Sequence, residues 1–215
     1  MKPVIIYVSG APGSGKTTLA KLLSRQLNIH HISSDLVHGS IAFLNPSHDR
    51  GETIRDVFIP YLIDSAKLGM SFVVDHVLQK DIAKETIIDK LLPYANVLYI
   101  HTQAADPISR YKKNIEDHDS NEVQTRHDFL ISRAEFHAHN LENTINPIDL
   151  DVPRLVVDTN NGYDPSLEES INFISSSGNN FNQYERLVVV GTPRSKDNQR
   201  TQGKLLGKHL LALQC

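Results

Sequence analysis

The residues with the most specific chemical potential are Gly10-Ala11-Pro12-Gly13-Ser14-Gly15-Lys16-Thr17-Thr18. Glycines at this spacing let successive backbone N–H groups turn inward on an anion. A lysine and a threonine at the end of the loop then add a cation and a metal-binding hydroxyl. In such a loop Lys16 bridges the β- and γ-phosphates of a nucleoside triphosphate, and Thr17 holds the Mg²⁺ that neutralises them. The flanks suit the motif: Val4-Ile5-Ile6-Tyr7-Val8 reads as the strand that delivers the loop, and Thr18-Leu19-Ala20-Lys21-Leu22-Leu23 as the helix aimed at the same phosphates. The chemistry implied is ATP binding with Mg²⁺, so the next question is which acids and bases stand beside the terminal phosphate.

Two carboxylates end candidate strands. Asp75 closes Ser71-Phe72-Val73-Val74, a continuous apolar run of the kind covered on both faces of a sheet. It could support Mg²⁺ through the ion's water shell, or cap the following turn. Asp35 follows the short segment His30-His31-Ile32-Ser33-Ser34. As a general base it would take the proton of an acceptor hydroxyl. As an N-cap, in competition with Ser34, it would only satisfy backbone N–H groups. Spacing alone leaves both pairs of readings open.

The elements that must position these groups alternate. Leu19, Leu22, Leu23 and Leu27 recur at helical spacing up to Asn28. After the turn-rich stretch Asn45 to Gly51, a helix from about Glu52 to Lys67 should bury Ile54, Val57, Phe58, Tyr61, Leu62 and Ala66. Asp81 can cap a helix carrying Ile82, Ile87, Ile88 and Leu91, stopped by Pro93 before the strand Asn96 to Ile100. A helix through Ile108 to Lys113 leads into the polar stretch Glu116 to Asn121, expected to be mobile, and helix resumes from Ala134 to Leu141. Arg154 to Asp158 is the fifth strand and Ser166 to Ile174 the helix after it. Such alternation predicts an α/β fold, a three-layer P-loop NTPase sandwich on a parallel sheet of about five strands.

The core domain should span residues 1–174. Ser175 to Asn180 has linker composition, placing a linker over 175–184. Residues 185–215 read as a small strand-helix appendage: Leu187 to Val190, a loop through Gly191-Thr192-Pro193-Arg194-Ser195, then Leu205 to Leu213. Gly203-Lys204 is followed by Leu205 rather than a hydroxyl residue, which favours an added edge strand and docking helix over a second nucleotide loop; the remnant of a second domain is the other reading.

With a formal net charge of −3 and pI ≈ 6.4, no global positive field gathers long nucleic acid. Cys215 is the single cysteine, so no intrachain disulfide forms. The first apolar run is broken by Gly10 and Pro12, and no later run approaches a membrane span, so the expectation is a cytoplasmic protein. Among the 11 histidines, His137-Ala138-His139 looks like a metal motif, but residues two apart on a helix do not face one way. These read as surface histidines.

The Gly10–Thr17 loop, Ser34-Asp35, Val73-Val74-Asp75 and the Pro107 to Lys113 helix together resemble the P-loop kinases of the zeta-toxin, chloramphenicol phosphotransferase and polynucleotide kinase group. Residues Val156 to Ser166 are similar to the closing segment of ATP-binding proteins of that group, and the resemblance covers roughly residues 1–175. It implies that Asp35 is the general base and that Lys16 acts in transfer. An acceptor-binding arginine follows on the next helix, for which Arg55 is the nearest candidate. A basic lid closes over the phosphates, with Arg110, Lys113, Arg126 and Arg133 in the corresponding region and Arg126 favoured as the catalytic lid arginine. Lys113 stands where an arginine is common and lacks its bidentate fork. The loop Thr159 to Gly162 would lie by the adenine. Polynucleotide kinases carry an arginine where this chain has His38, which argues against a nucleic-acid end as acceptor.

The leading expectation is thus a Mg²⁺-ATP-dependent kinase acting on a hydroxyl of a small molecule, with Asp35, His38 and Arg55 around the acceptor. The alternatives are a nucleotide-dependent binding or switch ATPase and a polynucleotide 5′-end kinase.

Overall fold

The computed structural model describes residues 2–45, 47–118 and 135–177. The strands are β1 (Val4–Gly10), β2 (His30–Ser33), β3 (Phe72–Asp75), β4 (Asn96–Gln103) and β5 (Arg154–Asp158). They form one five-stranded sheet in the order β2-β3-β1-β4-β5, with every pairing parallel. β1 is buried along its whole length, as its unbroken apolar sequence demands.

Alternation along β1 divides the core in two. Ile5 and Tyr7 face a layer built with Val74, Val97, Tyr99, Phe58 and Leu62, while Val4, Ile6 and Val8 face Leu19, Ala20, Leu23, Leu98 and Ile174. Helices therefore cover both faces: α1 (Lys16–Leu27) and α7 (Leu167–Ser177) on the second, and α3 (50–67) and α4 (84–91) on the first. Helix α2 is Ser34–Leu44. Helix α3 runs through Arg50–Glu52, Thr53–Phe58 and Ile59–Lys67, and α4 through Lys84–Ile88 and Asp89–Leu91. Helix α5 is Pro107–His118 and α6 Glu142–Ile145, with a helical turn over 135–139.

The α/β sandwich matches expectation, with local corrections. Thr53–Phe58 is π-helical. Its wider turns bring the i, i+4 row of Ile54, Phe58, Leu62 and Ala66 inward and turn Val57 and Tyr61 out, to 40% and 45% exposure. Asp81 adopts φ 70 outside the helix instead of capping it, and regular turns begin at Lys84. Helix α7 continues through Ser177, so Ser175 to Ser177 are helical where linker was expected. Asn28 ends α1 in the left-handed conformation, its N–H on the Arg25 and Ser24 carbonyls. The rest of the linker and the appendage lie outside the described residues. Among the described residues, no helix is long and apolar enough to cross a membrane.

Candidate active site

The chain leaves β1 at the centre of the sheet, where successive connections diverge to either side and open a crevice beyond the strand ends. The loop that fills this point is tightly packed. Gly13 has φ 83, and a Cβ on it would meet the Pro107 carbonyl oxygen at 1.9 Å, so the start of α5 rests on bare backbone. At Gly10 a Cβ would meet the Thr102 carbonyl at 2.3 Å. Gly15 precedes α1, whose first turn carries Lys16 and Thr17 and has no side-chain cap, leaving its N–H groups for an anion.

Hydroxyl groups lock this loop to its neighbours. Thr102 Oγ1 donates to the Ser9 carbonyl (3.1 Å), so in its 2.6 Å contact with Ser14 Oγ it is the acceptor. Thr159, beyond β5, donates from Oγ1 to the Ser14 carbonyl (2.9 Å) and the Gln103 carbonyl (3.2 Å). Arg110 on α5 then donates to Thr159 Oγ1 at 2.9 Å. A polar cleft of ≈ 440 Å³ opens beside the loop, lined by Gly13, Gly15, Thr18, Arg110, Lys113 and Asn114. The structure thus brings Arg110 and Lys113 to the nucleotide loop. Arg126 and Arg133 lie outside the described residues.

On the other side of β1 lie β3 and β2. Asp75 ends β3 opposite Val8 and Ser33, buried to 2% exposure. Its Oδ2 has no hydrogen-bond partner among the described residues, and His31 Nε2 is 3.8 Å away. The Leu78 N–H, a donor that a capping carboxylate would take, goes instead to Ser9 Oγ at 2.7 Å. A buried carboxylate with one oxygen unbonded among the described residues, at the end of the strand beside β1, suits a hard cation. No cluster of three or more His, Cys, Asp or Glu ligands exists among the described residues. Such a sparse oxygen set fits Mg²⁺, which keeps waters and substrate phosphates in its shell.

Asp35 sits in the first turn of α2, whose N-cap is Ser33, so neither it nor Ser34 is the cap. Its carboxylate is 67% exposed at the crevice edge and accepts a hydrogen bond from Arg50 Nη2 at the start of α3. His38 Nδ1 contacts Thr53 Oγ1 at 3.1 Å, tying α2 to α3. Arg55 is not brought to this group: its side chain is 67% exposed and grips Asp56 with two hydrogen bonds. His76, directly after Asp75, lies within the electrostatic reach of Arg50, Asp35, Asp75 and Lys16. Burial, reinforced by Arg50 and Lys16 against the two carboxylates, pushes its imidazole down to about 4. Burial, and then Asp75, raises the Tyr7 phenol well above its usual range.

Sequence reasoning missed Arg50, His76 and Thr102, and it named Thr159 only as part of a loop by the adenine, not for its bond to Ser14. His76 was open to discovery, since it follows a strand end that already drew attention. Arg50 lay within turn-forming residues, and the Thr159–Ser14 contact joins positions too distant for any local pattern.

Sheet order, central strand and loop define the α/β sandwich of P-loop NTPases. No family model matches the chain. Over 69 residues it is 38% identical to an adenylate kinase of Chlamydia trachomatis serovar L2, a match covering 28% of this chain and 28% of that protein. The chain thus matches well under half the length of this curated relative. Among solved structures, it is similar to a candidate kinase from Chloroflexus aurantiacus with TM-score 0.60 at 17% identity, covering 82% of this chain and 99% of that one. A gluconokinase from Sinorhizobium meliloti gives TM-score 0.52 at 15% identity, covering 84% of this chain and 97% of that one. At these identities the likeness is one of fold.

Proposed function

We propose that the protein is an ATP-dependent phosphotransferase that moves the γ-phosphate to a hydroxyl of a small molecule in the cytoplasm. The observation that carries this reading is the Arg50-held carboxylate of Asp35 on the same sheet edge as the Gly10–Thr17 loop, with buried Asp75 between them. A nucleotide switch needs no such base, whereas transfer does. The names of the similar proteins, adenylate kinase and gluconokinase, agree with the reaction class. The narrower kinship with the zeta-toxin, chloramphenicol phosphotransferase and polynucleotide kinase group is part of the same proposal.

The loop N–H groups and Lys16 hold the triphosphate, with the nucleoside toward the cleft lined by Arg110 and Lys113. Asp35 accepts the proton of the acceptor hydroxyl as its oxygen bonds to the γ-phosphorus, and the bond from that phosphorus to the β,γ-bridging oxygen breaks to release ADP. Arg50 orients the Asp35 carboxylate for this step. Thr17 and Asp75 would hold Mg²⁺, Asp75 through water, and the ion would supply charge neutralisation at the phosphates. Arg126, with Arg133, completes the lid in this scheme.

ADP formation from Mg²⁺-ATP, with and without pooled hydroxyl-bearing metabolites, tests the reading. Asp35→Asn should lower acceptor-stimulated turnover by roughly 10²- to 10⁴-fold while ATP binding persists. Slow turnover indifferent to both pool and mutation would favour the switch.

A further inference from the structure

Five buried side-chain atoms lack a hydrogen-bond partner among the described residues: Tyr7 Oη, His31 Nε2, His48 Nε2, Asp75 Oδ2 and His76 Nδ1. Tyr7 is in β1, His31 in β2, Asp75 at the end of β3, His76 directly after it, and His48 in the loop before α3. His31 Nε2 and Asp75 Oδ2 face each other at 3.8 Å. Buried polar atoms are ordinarily satisfied, so the unbonded His76 Nδ1 beside this pair marks a place that a ligand or its waters complete. His76 is the member best placed to touch an acceptor. Its backbone N–H is bonded to the Val8 carbonyl (3.3 Å), and its ring packs on Phe58 at 5.2 Å and edge-on to Tyr7 at 6.3 Å, so its position is fixed. The charges of Lys16 on α1, Asp35 on α2, Arg50 on α3 and Asp75 on β3 all reach its ring.

The same groups limit what can enter. A phosphate monoester brings negative charge and is best held by an uncommitted guanidinium fork. Among the described residues near His76, Arg50 is engaged by Asp35, Arg55 is engaged by Asp56 in solvent, and Asp35 and Asp75 would repel the anion. An imidazole suits a hydroxyl group, which both donates and accepts.

We infer that His76 is a hydrogen-bonding contact for the phosphate acceptor, and that the acceptor is an uncharged polyhydroxy compound rather than a phosphate monoester. The inference rests on the transfer reading given above.

The test measures ADP formation by the full chain with two probe pools: neutral hexoses, pentoses and glycerol, or the four common nucleoside monophosphates. The neutral pool should stimulate turnover. His76→Phe, which keeps the ring packing, should raise KM for the stimulating sugar about tenfold with KM for ATP unchanged, and His76→Gln should restore part of the loss. A Thr53→Val variant, which removes the hydroxyl that His38 and the Asp49 carbonyl share while keeping the side-chain shape, controls for loosened α2–α3 packing. Stimulation by the monophosphates, or an unchanged sugar KM in folded His76→Phe, overturns the inference and leaves the transfer reading standing. Stimulation by neither pool, with ATP still bound, overturns both.

Discussion

The two sides of β1 are built differently. Toward β4 and β5, the nucleotide loop is closed by a chain of hydroxyls, Ser14 to Thr102 to the Ser9 carbonyl and Thr159 to the Ser14 carbonyl, with glycines where backbone presses on backbone. Toward β3 and β2, polar atoms of Asp75, His76 and His31 are buried without hydrogen-bond partners among the described residues, and Asp35 stands at an exposed edge. One half is finished before any ligand arrives. In the transfer reading proposed above, the other is arranged around the acceptor, which accounts for polar atoms that packing alone does not explain. Preorganisation of the phosphate cradle costs nothing at each turnover, whereas an acceptor site must open to admit and release.

The sharpest way to break this contrast is at the glycines. Gly13→Ala would place a Cβ 1.9 Å from the Pro107 carbonyl at φ 83, so α5 must move off the loop. The expected cost is about 2–5 kcal/mol, with loss of nucleotide binding. Gly39→Ala, on α2 with nothing within 4 Å of the new methyl, should instead stabilise by roughly 0.5–1 kcal/mol. Thermal melts and nucleotide titrations of both variants check this, and equal behaviour would mean that the loop is not tightly packed.

The hydroxyl chain predicts a smaller loss. Thr159→Val keeps the shape but strips the donor to Ser14 and Gln103 and the acceptor of Arg110. About 1–3 kcal/mol of stability should go, with a higher KM for ATP and an unchanged KM for acceptor. A rise in the acceptor KM instead would show the two halves to be coupled.

Acid probes the opposite half. His76 is held down to about 4, and His101 is also lowered, first by burial; its ring lies between the Tyr99 hydroxyl (2.8 Å) and the Ile145 carbonyl (2.9 Å). Unfolding frees both to bind protons near pH 6.5, so the unfolded chain carries more protons below that value and stability falls as pH drops toward 4. Urea titrations should show roughly 1–3 kcal/mol lost between pH 7 and pH 4.5, and His76→Phe should flatten part of the slope. An unchanged slope in that variant would place the sensitivity elsewhere.

Much of this was legible in the chain because it depends on local patterns. Val4 to Val8, Phe72 to Asp75 and Asn96 to Ile100 are apolar without alternation, which only doubly covered parallel strands require, and the loop motif needs its strand and helix adjacent. Asp75 stood out because it ends such a run, and Asp35 because it follows the short strand candidate His30 to Ser34. What escaped depends on contacts across long sequence separations. Arg50 reaches Asp35 only because α2 folds back, and Thr159 finds Ser14 only once β5 is laid beside β4. The π-helical turns of α3 defeat a 3.6-residue count, so Val57 and Tyr61 were assigned to the wrong face.

The smallest expected effect separates Arg55, the arginine that the sequence offered, from Arg50, which it did not. Arg55 follows Asp35 on the next helix as the resemblance suggested, yet it faces solvent and spends its fork on its neighbour Asp56. Pairs this exposed contribute little, so Arg55→Ala should move the melting temperature by less than about 2 °C and leave the acceptor KM unaltered. Arg50→Ala removes the group that orients Asp35 and should lower acceptor-stimulated turnover about tenfold. Measured side by side, the pair locates the acceptor half: if Arg55→Ala raises the acceptor KM while Arg50→Ala does not, the site lies farther along α3, and the Asp35–Arg50 pair serves only to join α2 to α3.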